Sequence, residues 1–304
     1  MSATLPDGFR SRRPVDGDVD IVARIIRAEE QAVRGDSTWG VSETSQWWQL
    51  SNHDDGTWIV ETERGAPAAF AATIDSADSS ECWAAVLPEF RGRGLATALI
   101  GLTEQRARAR GFARVKVGAF VENDLALRLF DELGYREVRH YLQMRVALDG
   151  QLEEPRWPPG INVATFRRED ARAFHAAFDE AFAEEWDFHS LPFDEWKAFR
   201  LEREDVDLSL WFVAWDGVEI AAVCRCERQH GGGWIGGIGV RKPWRRRGIG
   251  LALLQHAFLE FARRGEPHVS LGVDAENPTG ATVLYERAGM RVVTDEVVFE
   301  KELT

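Results

Sequence analysis

Two short stretches of this chain place arginine and glycine at the point where an apolar helix should begin. One is RGRGLATALI, residues 91–100; the other is RRRGIGLALL, residues 245–254. The first N–H groups of a helix have no partner inside it and sit at the positive end of its dipole. Glycine lets a ligand approach the main chain, and arginine adds charge-assisted hydrogen bonds. The chemistry implied is a cradle for phosphate or pyrophosphate. Neither stretch reads G-x-x-x-x-G-K-[ST], and neither is a G-x-G-x-x-G turn followed by a ribose-binding acid, so the common nucleotide fingerprints do not apply.

The two stretches belong to a longer repeat. Aligning Arg91 with Arg245, 154 positions on, also brings Asn123 onto Asn277, and Gly134 matches Gly289 with one extra residue. Each copy reads strand, two helices, three strands, helix, strand, helix, strand. The helices follow from apolar spacing, as in Leu251, Leu254, Phe258 and Phe261, and close on Gly111 or Gly265. The segment DGQLEEPRWPPG, residues 149–160, has proline and acid but no periodicity. The expected organisation is a domain at 1–148, a linker at 149–160 and a domain at 161–304.

The bulk composition excludes several functions. The net charge is −13 over 304 residues, which argues against general nucleic-acid binding and against docking on an anionic membrane. No apolar run reaches 18 residues, and the start of the chain lacks a signal-peptide core, so a cytoplasmic protein is expected. The three cysteines, Cys82, Cys224 and Cys226, suit a reducing compartment. Cys224 and Cys226 read as two residues on one face of a strand. No metal-ligand spacing is present, and no metal is expected.

The motif V-x-P-x-x-R-x-x-G-x-A at 86–96, its second copy VRKPWRRRGIG at 240–250, and NPTGATVLYERAGM at 277–290 together resemble the GNAT superfamily of N-acetyltransferases. The resemblance covers both halves. It implies a mixed α/β (α+β) fold of two tandem GNAT domains, each a mostly antiparallel sheet split between its fourth and fifth strands and flanked by helices. Acetyl-CoA would enter the split. Its pyrophosphate would lie on Arg91, Gly92, Arg93, Gly94, Leu95 and Ala96 in the first copy, and on Arg245, Arg246, Arg247, Gly248, Ile249 and Gly250 in the second. Its pantetheine arm would run along Ala84, Ala85 and Val86, or Ile238, Gly239 and Val240, beside Asn123 or Asn277.

The same resemblance makes Tyr285 the acid that protonates the departing thiolate. A backbone N–H near Val240 can serve as oxyanion donor. The first copy has Phe130 where the second has Tyr285, so the N-terminal domain is expected to be a non-catalytic partner and the C-terminal one the catalyst. Asp274 and Glu227 are candidates for the base. The stretch AFAEEWDFHSLPFDEW, residues 181–196, is rich in aromatics and acids; Glu185, Trp186, His189 and Trp196 are the expected acceptor contacts. The acceptor would be a small-molecule or peptide primary amine, with the protein a monomer or homodimer. A non-catalytic acyl-CoA-binding or sensing protein is the alternative.

Overall fold

The computed structural model describes residues 4–303 apart from 16, 38, 77, 204, 205 and 230. Along the chain the elements are β1 (Phe9–Arg12), α1 (Asp18–Arg34), α2 (Val41–Trp48), β2 (Thr57–Thr62), β3 (Pro67–Asp75), β4 (Ser79–Val86), α3 (Leu95–Arg110), β5 (Arg114–Phe120), α4 (Asp124–Glu132) and β6 (Arg136–Ala147). The order then repeats: β7 (Ile161–Thr165), α5 (Ala171–Phe182), α6 (Phe193–Trp196), β8 (Trp211–Asp216), β9 (Glu219–Gln229), β10 (Gly232–Val240), α7 (Ile249–Arg263), β11 (His268–Asp274), α8 (Ala281–Arg287) and β12 (Arg291–Glu302). This is the element grammar expected from periodicity and glycine stops. Residues 151–158, within the expected linker, carry no regular secondary structure.

The chain forms two compact units, and neither is one continuous stretch. Unit 1 comprises Met1–His140 with Glu296–Thr304; unit 2 comprises Tyr141–Asp295. In unit 1 the strand order is β1-β2-β3-β4-β5, and residues 296–302 of β12 complete the sheet by pairing antiparallel with β5. In unit 2 the order is β7-β8-β9-β10-β11, completed by residues 141–147 of β6 against β11. Each unit therefore takes its last strand from the other repeat. The domain limits read from the repeat run instead through β6 and β12 as whole strands.

Within each unit, pairing is antiparallel except where β4 meets β5 and β10 meets β11. The apolar residues of the strands pack against helices on both faces. In unit 1, Leu95, Leu99 and Ala107 of α3 cover one face with Val115 and Val117, while Val22 and Ile25 of α1 cover the other with Ile59 and Phe70. In unit 2, Leu254, Phe258 and Phe261 of the expected α7 stripe are buried, joined by Leu253, while Leu251 is half-buried. Phe261 fits against strand backbone: a methyl at Gly233 would lie 2.7 Å from its ring. Cys224 and Cys226 are free, buried strand residues with their sulfurs 3.4 Å apart. Lost hydration pushes the Cys226 thiol well above its ordinary range, so it is not a poised nucleophile.

Candidate active site

The parallel strand pairs part before they end. In unit 1, β4 and β5 pair over residues 79–82 and 114–117, leaving residues 83–86 of β4 without a partner on that side. In unit 2, β10 and β11 pair only over residues 233–235 and 269–271. Both splits open towards the arginine–glycine turns. In unit 1 the opening is a cleft of about 490 Å³. Its walls include Ala84, Ala85 and Val86 from the free edge of β4, then Arg91, Gly92, Gly94, Leu95 and Ala96 from the turn, and Asn123. These expected cofactor residues share one site. Arg93 lies outside the lining, with its guanidinium over the Phe90 ring at 5.3 Å and on the Glu89 carbonyl.

The turns have the same backbone shape. Gly92 and Arg246 occupy equivalent positions and both are left-handed, with φ of 72° and 62°. Gly94 and Gly248 follow, also left-handed, immediately before α3 and α7. At Gly92, Gly94 and Gly248 the space where a side chain would begin is nearly or wholly open, so a phosphate can reach the helix N–H groups. These features fit the phosphorylated donor that the motif implies. Arg246 is one of two non-glycine residues with positive φ among those described, and left-handed backbone costs an L-residue about 1–2 kcal/mol. Glycine gives part of that back as chain entropy in the unfolded state. Arg246→Gly should therefore raise stability by about 0.5–1 kcal/mol in urea unfolding; a lower midpoint would contradict the strain.

Arg245 has a different task from its neighbours. Its guanidinium donates to the carbonyls of Val240 at 3.0 Å and Ala181 at 3.2 Å, and meets Glu184 at 2.7 Å. It thus ties the turn to the end of β10 and the end of α5. Arg247 lies 3.5 Å from Asp216 and keeps much of its surface exposed. Ile249 is buried at the start of α7, and Gly250 leaves room for Leu284, which would lie 3.1 Å from an added methyl.

β10 carries a bulge that β4 lacks. Its register with β9 slips between Ile235 and Gly237, whereas β3 and β4 pair without a break from Ala69–Val86 to Asp75–Ser80. Buried Arg225 holds the bulge by donating to the Gly236 carbonyl at 2.6 Å. The glycines that follow admit α5 closely: methyls at Gly237 and Gly239 would lie 2.6 Å from the Phe178 ring and the Ala181 Cβ. Bulges re-aim backbone groups and concentrate near active sites. Here the bulge immediately precedes Ile238, Gly239 and Val240.

A half-buried carboxylate faces the asparagine in each unit. Asn123 donates to Glu29 at 2.8 Å, and Asn277 donates to Glu185 at 3.1 Å. Loss of hydration raises the pKa of both glutamates. Tyr285, on α8, is buried, and its hydroxyl has no hydrogen-bond partner among the described residues. Burial, with Glu185 and Cys224 nearby, raises its pKa far above the ordinary phenol value. Asp274 raises Glu185 further, which places Tyr285, Glu185, Asn277 and Asp274 in one electrostatic neighbourhood.

The sequence matches the Acetyltransferase (GNAT) family at residues 22–135 and again at 171–290. The chain belongs to this acetyltransferase family. It is 29% identical over 290 residues to the mycothiol acetyltransferase of Streptomyces bingchenggensis, covering 91% of this chain and 92% of that one. The mycothiol acetyltransferase of Streptomyces avermitilis is also 29% identical, over 292 residues, covering 91% of each chain. A GCN5-related N-acetyltransferase from Sphaerobacter thermophilus superposes with a TM-score of 0.86 at 36% identity, covering 99% of this chain and 97% of that one. A tandem GNAT protein from the clavulanic acid pathway shares the fold, with a TM-score of 0.75 at 14% identity over 97% and 99% of the chains. The protein is thus an N-acetyltransferase with two GNAT units, and acyl-CoA is the family's donor.

Within this GNAT protein the remaining candidates fall in different places. Trp186 lies 6.5 Å from Tyr141, which the exchanged strand brings into unit 2 opposite Asp274. His189 is exposed and sits 3.6 Å from Asp187. Trp196 is a packing residue: it is 7% exposed, between Phe174, His175 and Trp211. Glu227 is held in ion pairs with Arg225 at 3.0 Å and Arg203 at 3.7 Å. Asp274 accepts from the Glu276 N–H at 2.9 Å, fixing the turn after β11. Phe130 packs against Phe299 and Tyr135 and lines the unit 1 cleft. Among the described residues no cluster of histidine, cysteine, aspartate and glutamate could hold a metal, and no helix is long and apolar enough to cross a membrane.

Proposed function

We propose that this GNAT protein moves an acetyl group from acetyl-CoA to the primary amine of a small molecule or peptide, by direct attack, in unit 2. The observation that carries this reading is Tyr285, a buried residue whose hydroxyl has no hydrogen-bond partner among the described residues, in the electrostatic neighbourhood of the Glu185–Asn277 pair. A phenol is protonated at neutral pH and can give that proton to the departing thiolate. Glu185, less acidic than an ordinary carboxylate, is suited to take a proton from the incoming ammonium. Trp186 and Tyr141 would form the acceptor wall, with His189 at its rim.

The thioester, when bound, supplies the activated acyl carbon. This chain's own groups do the rest. Arg246, Arg247 and the N–H groups at Gly248, Ile249 and Gly250 would hold the pyrophosphate. Ile238 and Gly239 would flank the pantetheine arm, the Val240 N–H would face the oxygen on which charge develops, and Asn277 would orient Glu185. Unit 1 keeps the equivalent turn, Arg91 to Ala96 with Asn123, but has Phe130 in place of the phenol. It would bind without transferring.

The test is thiol release from acetyl-CoA over a panel of aminoglycosides, polyamines, amino sugars, cysteinyl pseudo-disaccharides and peptide N-termini. Gly248→Val and Gly94→Val each force a branched side chain into a left-handed turn, one in each unit. Acceptor-dependent release should be lost in the first and kept in the second. The reverse pattern sinks the assignment to unit 2. Tight acetyl-CoA binding without release for any amine would favour a non-catalytic acyl-CoA sensor. The rate should rise with pH as Glu185 loses its proton, with the acid limb above the usual carboxylate range, and Glu185→Gln should flatten that limb.

A further inference from the structure

One face of β9 carries a charged cluster that no step of the transfer uses. Arg225 and Glu227 stand two residues apart on that strand, on the side of Val223, which packs with Phe174 and Trp196. Arg225 meets Glu227 at 3.0 Å, and Arg203 meets the same carboxylate at 3.7 Å. Arg200 comes from a wide, π-type turn, Lys197–Leu201, that follows α6 and ends shortly before Arg203. Turns of this kind are frequent at functional sites. Three guanidiniums thus gather around Glu227.

Arg200 differs from the other two. It is half-buried and lies over the Phe199 ring at 4.3 Å, and it makes no hydrogen bond or ion pair among the described residues. Lost hydration first, then repulsion from Arg225 and Arg203 against the pull of Glu227, lowers its pKa to about 9, so it is still charged at neutral pH. A desolvated charge without a counter-ion is costly, and a ligand anion would relieve that cost. The fold does not require the cluster. Trp83 pairs with Ala72 as Gly237, 154 positions on, pairs with Arg225, so Ala72 is the counterpart of Arg225, and two residues further Ile74 is that of Glu227. In unit 1 Phe70, Ala72 and Ile74 pack there with Trp47 and Trp48. Unit 2 has charge where unit 1 has an apolar seam, and has it at the β10 bulge, whose Gly236 carbonyl Arg225 holds.

We propose that unit 2 binds the carboxylate of a small organic molecule at Arg200, beside Arg225 and the β10 bulge. The planar guanidinium offers two parallel N–H groups to the two carboxylate oxygens. Arg200 leaves one positive charge to answer, which suits a monoanionic carboxylate better than a phosphate. The site is separate from the pyrophosphate turn and takes a group of opposite charge to the amine.

The probe is benzoate, with benzamide as its neutral isostere, titrated into the full chain in the presence of coenzyme A while arginine Nε–H resonances are followed by NMR. Arg200→Lys assigns the Arg200 signal by its loss. Benzoate should shift that signal saturably, and benzamide should not. Arg200→Gln breaks no hydrogen bond and removes a desolvated charge, so it should fold; its Kd for benzoate, read by calorimetry, should rise at least tenfold. Arg200→Lys, which keeps the charge and loses the fork, should fall between. Equal binding of benzamide, a Kd indifferent to Arg200→Gln, or tighter binding of inorganic phosphate would overturn the proposal. Competition of benzoate with the amine in acetyl transfer would assign the carboxylate to the acceptor itself. A changed rate at saturating amine would assign it to a separate effector, and the site stands in both cases. Binding is read without turnover, so its failure and the failure of Tyr285 as the acid are distinct results.

Discussion

Tyr285→Phe is expected to lower kcat for acetyl transfer by about a hundred- to ten-thousandfold, the range that a positioned acid contributes. The fold should be indifferent to the change. The hydroxyl has no hydrogen-bond partner among the described residues, so its removal orphans nothing, and the ring keeps its place in the core with Leu253 and Leu284 around it. KM for acetyl-CoA should change little, because the turn from Arg245 to Gly250 and the edge of β10 are untouched. The sharpest reading comes from leaving-group dependence. An acyl donor with a more acidic thiol needs less help from a proton donor, so the defect should shrink with such a donor. A variant with native kcat on acetyl-CoA would remove Tyr285 from the chemistry and leave it as a packing residue like Phe130.

Ending the chain at Asp295 is expected to abolish the cooperative folding of unit 1. The deletion takes away the whole ladder partner of β5, from Glu296 opposite Phe120 to Glu302 opposite Arg114. It also removes Val297 and Phe299 from the core around Val115, Val117 and Phe130. Losing a buried phenylalanine alone costs about 3–5 kcal/mol, while a domain's entire stability is about 5–15 kcal/mol. The ion pairs Lys301–Glu104 and Arg114–Glu300 go as well, though half-exposed pairs contribute little. β5 would be left as a bare, apolar sheet edge, prone to association. Calorimetry should show the unfolding enthalpy of unit 1 missing and the remainder aggregating on heating. A truncated chain melting within a few degrees of the full one would mean that β12 adds nothing essential to that sheet.

Much of this arrangement is written in local signals. Apolar spacing and terminal glycines mark α3 and α7 because each helix buries one stripe and ends in a left-handed residue. The turns are visible because phosphate binding needs glycine and arginine in a narrow window. The left-handed Arg246 was legible by analogy, since Gly92 stands at the same place in the first repeat. The bulge at Gly236 has a weaker trace, two adjacent glycines within a strand. The strand exchange has none: YLQMRVA and EVVFEKE are both acceptable partners for either fifth strand, and only tertiary packing chooses between them. Glu29 and Arg200 escaped for the same reason, because their importance comes from what the fold brings opposite them. Trp196 looked like a pocket residue because it stands in an aromatic run, whereas its neighbours in space are Phe174 and Trp211.

The exchanged strands also bear on how such a protein can change over generations. A duplicated gene whose halves fold separately can discard the half that does less. Here a deletion of the first repeat would carry off Tyr141 to Ala147, on which β11 closes, and a deletion of the second would carry off the strand on which β5 closes. Neither repeat can be shed without unmaking the other's sheet. A copy without a phenol at position 130 would therefore be kept by what folding requires, whatever its own cleft does.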